Sequence, residues 1–112
     1  MAVHLQRTLH LSRTQPELPA DEIFTRDEID AAQILGVAHH LAKVPPLGTP
    51  LTLATAVELI ARLGGYSARR GEGPPGPTAF ARGYELVAAV VLAFQTQREI
   101  RNKPPSTHSS GQ

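Results

Sequence analysis

Apolar side chains recur at helical spacing in three stretches of this chain, with prolines and glycines between them. Leu53, Val57, Ile60 and Ala61 fall at i, i+4, i+7 and i+8, one face of a helix that begins near Thr52. Gly64 and Gly65 stop it, because glycine readily takes the left-handed cap conformation. Upstream, Thr25 sits three residues before Glu28, a capping-box spacing that satisfies free amides at a helix start. Ile34, Val37, Ala38 and Leu41 continue that helix to about Ala42, and Pro45, Pro46, Gly48 and Pro50 close it. Downstream, Gly71–Pro77 is a constrained turn and Pro77 suits the first position of a helix over about Thr78–Arg98. That last helix carries two apolar stripes, Phe80–Tyr84–Val87–Val91–Phe94 and Leu86–Val90–Ala93, with Ala89 between them. A helix apolar on both sides either lies deep in a core or keeps one face for a partner. In so small a chain, few elements exist to cover both.

The ends are poorer in structure. Val3, Leu5, Leu9 and Leu11 predict a weak helix over residues 1–13. Thr14–Ala20 (TQPELPA) has two prolines in seven residues, so 14–22 reads as a linker. KPPSTHSSGQ has the composition of a disordered tail, taken as 102–112. The expectation is an all-α fold of about three main helices over residues 23–101, with a basic Pro/Gly-rich turn before the last.

At 112 residues the chain is at most one small domain. Its net charge of +1 gives no global pull toward nucleic acid or anionic lipid. Residues 1–30 hold three arginines against six acids, and residues 31–112 hold eight bases against four acids. The asymmetry is mild but puts the positive charge in the second part. No cysteine is present, which removes disulfides, thiolate chemistry and cysteine zinc sites. The start has no signal-peptide core, and the longest uncharged run, Leu86–Gln97, is about half a membrane span. These features predict a soluble chain of a reducing cytoplasm.

No constellation for catalysis stands out. His39 and His40 are adjacent and lack a second ligand at i+3 or i+4, so solvated or half-buried histidine is the default and no metal is expected. Asp27, Glu28 and Asp30 lie in a first helical turn, where capping and the helix dipole account for them. The glycine-rich segment has no preceding strand and no lysine followed by Ser or Thr, so no nucleotide cradle is supported and no cofactor is expected. Arg62, Arg69, Arg70 and Arg82 do flank or occupy one turn before a helix start, a place suited to phosphate. A solubilising charged loop is the bland alternative. Ala89 and Ala93 would let another helix approach closely, and ordinary core packing is the alternative there.

The string Ile60–Glu85 (IARLGGYSARRGEGPPGPTAFARGYE) resembles the carboxy-terminal domain of bacterial cut-and-paste transposases of the insertion-sequence-four group, to which the transposon-five transposase belongs. The likeness lies in IARLGGY, then Arg69–Arg70, the Gly73–Pro77 turn and the Arg82–Gly83 step, without gaps. Ile23–Leu35 resembles the family's capped, acidic helix start, and Met1–Leu11 the end of a helix leaving the catalytic core. The resemblance implies a helical domain for transposase dimerisation and for holding transposon ends. Carried over by position, Leu86, Ala89, Val90, Ala93 and Gln97 fall on the helix that pairs across the dimer. Arg69 and Arg70 fall on the turn nearest DNA. The family usually has a tryptophan where this chain has Ala81, which puts dimer strength in doubt.

The family's catalytic core, with its two aspartates and a glutamate, would lie upstream of Met1. The expectation is therefore a non-catalytic bacterial transposase end piece. Its partners would be a second copy or a full-length transposase, with weak contact to transposon-end DNA and none to a membrane. The alternatives are a small helical interaction module without a DNA role, and an inactive pseudogene remnant.

Overall fold

Two threonines and a proline start the three longest helices. The computed structural model describes residues 5–67 and 73–102. It contains α1 (Leu5–Thr14), a 3₁₀ turn (Ala20–Glu22), α2 (Arg26–Ala38), α3 (Leu53–Leu63) and α4 (Pro77–Asn102). There is no strand among the described residues, and the domain is all-α. Thr25 caps α2 through the predicted box: its hydroxyl accepts from the Glu28 amide at 3.1 Å, and its own amide donates to Glu28 Oε1 at 2.8 Å. Thr52 caps α3, accepting from the Thr55 amide at 3.2 Å. Pro77, which has no amide proton to leave unsatisfied, is the first residue of α4.

The two middle helices end in the same way. Beyond α3 the Tyr66 amide reaches back to the Ala61 carbonyl at 3.0 Å and Gly65 to Arg62 at 3.2 Å, with Gly65 at φ 109°. This is a Schellman cap, with glycine where the positive φ falls. Beyond α2 the Leu41 amide bonds Gly36 at 2.9 Å and His40 bonds Val37 at 3.0 Å, with His40 at φ 59°. The α2 pattern therefore stops at Ala38, short of the expected Ala42. A histidine does the work usually left to glycine, so no residue type marked the end.

α3 is the central element. Leu53, Ala56, Val57, Leu59, Ile60 and Ala61 are all buried on it, and α1, α2, α4 and the 3₁₀ turn pack around it. Phe24 and Phe80 close the core from two sides, their ring centroids 6.3 Å apart. The segment expected as a linker belongs to this core as well. Ala20 is fully buried, and the carbonyls of Leu18 and Pro16 accept from the amides of Leu53 (2.6 Å) and Ala54 (3.2 Å). Those amides open α3 and have no partner within the helix. Proline-rich turn backbone leaves carbonyls without helical partners, so the stretch that cannot form a helix serves to cap one. α1 likewise packs inward, with Leu9 buried in the core cluster.

Candidate functional site

α4 is held against α3 at one close crossing. A Cβ built on Gly83 would lie 1.7 Å from the Ile60 carbonyl oxygen, and one on Gly64 would lie 1.9 Å from that of Ala79. Backbone meets backbone there, and no side chain fits between. At and beyond this crossing Phe80 and Val87 are buried, while Tyr84, Val91 and Phe94 pack half-buried against the core. The first of the two expected stripes is thus consumed by the fold.

α4 is also tied to the start of α2. The Tyr84 hydroxyl donates to the Glu28 carboxylate, whose other oxygen completes the Thr25 cap. Burial first, and then Glu28 through its hydrogen bond and its charge, push the Tyr84 phenol well above its ordinary value. Farther along, both guanidinium nitrogens of Arg98 reach the two oxygens of Asp27. This pairing raises the Arg98 value. Asp30 pairs with Arg26 at 3.3 Å. The acids of the first α2 turn are thus engaged in capping and tethering.

The second stripe stays largely exposed, with only Val90 partly packed against the core. Leu86, Ala89, Ala93 and Gln97 are exposed and Val90 is half-buried, and their spacing places all five on one face of α4. Ile100, 66 % exposed, extends that face, seven residues beyond Ala93 and three beyond Gln97. The spacing of apolar residues predicts an end near Arg98, whereas the helix runs to Asn102, so Ile100 joins the face only in the structure. Small residues at the middle of the face allow close approach of another helix, and larger apolar groups flank them. By length and composition α4 could cross a membrane. Its uncharged stretch Leu86–Gln97, however, rises only about 18 Å against the ~30 Å of a hydrocarbon core.

The four arginines read from the sequence do not form one described cluster. Arg82 is exposed and lines a cleft of about 460 Å³ with Gly64, Tyr66, Pro74, Gly76 and Thr78. Arg62 lies in another groove, beside Lys43 and Glu58. Arg69 and Arg70 lie outside the described residues. A residue that no local spacing points to does reach this turn: Arg13, at the end of α1, donates to the Pro75 carbonyl at 3.3 Å. The two positions are 62 residues apart, so only the fold brings them together.

Among the described residues, three helices pack around a central fourth and one apolar face is left largely open, the form of a helical assembly domain. Residues 1–103 match the family described as the Transposase Tn5 dimerisation domain. The chain belongs to that family, a transposase dimerisation region distinct from the catalytic core. Searches of curated proteins and of solved structures return no match.

Proposed function

We propose that the domain associates through the open face of α4, formed by Leu86, Ala89, Val90, Ala93 and Gln97. The observation that carries the reading is the split of α4 into a face consumed by the core and a face on which Leu86, Ala89, Ala93 and Gln97 stay exposed, with only Val90 partly packed against the core. Its partner is a second copy of this domain, alone or as part of a longer transposase chain. A face of about 17 Å along one helix is a small area, well short of the ~800 Å² per partner of a standard interface. Self-association through α4 alone is accordingly weak and reversed by dilution. Sedimentation velocity over a dilution series tests this: the weight-average mass falls toward the monomer as concentration drops, whereas a constant monomer mass at all concentrations would count against it.

A secondary role in DNA contact rests on the basic turn, with Arg62, Arg69, Arg70 and Arg82 as the contributing side chains. So few phosphate contacts give weak, salt-sensitive binding that carries no sequence preference of its own. Charge reversal at Arg69 and Arg70 separates this from a turn that is merely solvated. The double variant is expected to lose retention of the 112-residue chain on duplex DNA at low salt. Unchanged retention would favour an interaction module without a DNA role.

A further inference from the structure

Two arginines from distant parts of the chain meet at one turn. Arg13 comes from the end of α1 and bonds the Pro75 carbonyl. Arg82 comes from the second turn of α4 and lines the cleft that Pro74 and Gly76 help to wall. Both side chains are exposed, and neither has an acidic partner among the described residues. Two like charges brought to one turn, neither of them ion-paired among the described residues, raise a local positive potential that an anion would relieve. The contact with Pro75 uses one of the five guanidinium donors, so other donors are left for bidentate recognition of a phosphate. An unattached surface arginine samples many rotamers, whereas this one is held beside the turn before any ligand arrives. Arg7, on the same helix, makes a useful contrast. It is exposed, has no hydrogen bond or ion pair among the described residues, and sits about 240° round the helix from Arg13.

We propose that Arg13 is a further phosphate-contacting residue, acting with Arg82 across the Pro74–Gly76 turn on the backbone of duplex DNA. The inference rests on the reading that this turn faces DNA, and it adds α1 to the contact surface. It requires no base recognition, since phosphate contacts position a protein without reading sequence.

The test is binding of the 112-residue chain to a duplex oligonucleotide of arbitrary sequence, titrated across salt concentrations. Arg13→Ala is expected to lower the slope of log affinity against log salt by about 0.9, with an affinity loss on the order of tenfold at low salt. Arg13→Lys keeps the charge and is expected to keep most of the slope. Arg7→Ala is the control and should leave the slope near that of the wild type. A structural role for Arg13 alone would move the thermal midpoint without moving the slope. The proposal is overturned if Arg13→Ala binds with the wild-type slope, or if Arg7→Ala loses as much as Arg13→Ala. A wild-type chain that fails to bind the duplex at low salt would remove the DNA reading itself, and this inference with it.

Discussion

A methyl group at residue 83 would overlap the carbonyl oxygen of Ile60, and one at residue 64 would overlap that of Ala79. Neither clash can be relieved by turning a side chain, because both partners are backbone. Gly83→Ala is therefore expected to cost about 3 kcal/mol, at the upper end of ordinary overpacking. The midpoint and slope of urea unfolding give the number, and a loss below about 1 kcal/mol would mean that α3 and α4 do not cross this closely. The sequence displays both glycines but not their separate duties. Gly65 supplies the positive φ of the α3 cap, while Gly64 supplies space for α4. His40 shows the converse, a left-handed cap with no glycine to announce it. Local propensity reveals conformational need only where the preferred residue has been used. Close approach depends on the partner helix, which the local string does not contain.

At the scale of the element, α4 both packs on α3 and carries the largely exposed face. Its two stripes, its proline start and its neighbour's capping box were legible, since each follows from spacing within a few residues. Its tethers were not, because Tyr84 and Arg98 find partners on α2 that are 56 and 71 residues away. The Tyr84–Glu28 contact has a pH consequence. Burial and the carboxylate favour the neutral phenol, so the folded-state value lies above the unfolded one. Stability from this group is then fully present below about pH 10 and is lost as pH rises toward the higher folded value. Tyr84→Phe is expected to lower stability by about 1–3 kcal/mol at neutral pH and to flatten the alkaline loss. Equilibrium unfolding at pH 8 and pH 11 checks this. Equal alkaline sensitivity in wild type and variant would show that Tyr84 is not the group responsible.

For the whole molecule, the helical class and the second face of α4 could be read from periodicity alone. The inclusion of residues 14–22 in the core could not, since proline-rich composition resembles a linker until its carbonyls are seen capping α3. Arg13 joined the basic turn for a similar reason. What the fold leaves largely open is a narrow apolar face of α4, the face through which we propose that this member of a transposase dimerisation family associates. The direct test is solution mass by light scattering at protein concentrations on the order of 100 µM, high enough to populate a weak dimer. Ala93→Arg places a charge at the middle of the face while Ala93 itself is exposed, so the fold should be unaffected. A wild-type mass above the 12.0 kDa monomer that falls to it in Ala93→Arg is the expected result. Two folded monomers, or two equally associated species, would contradict assembly through α4.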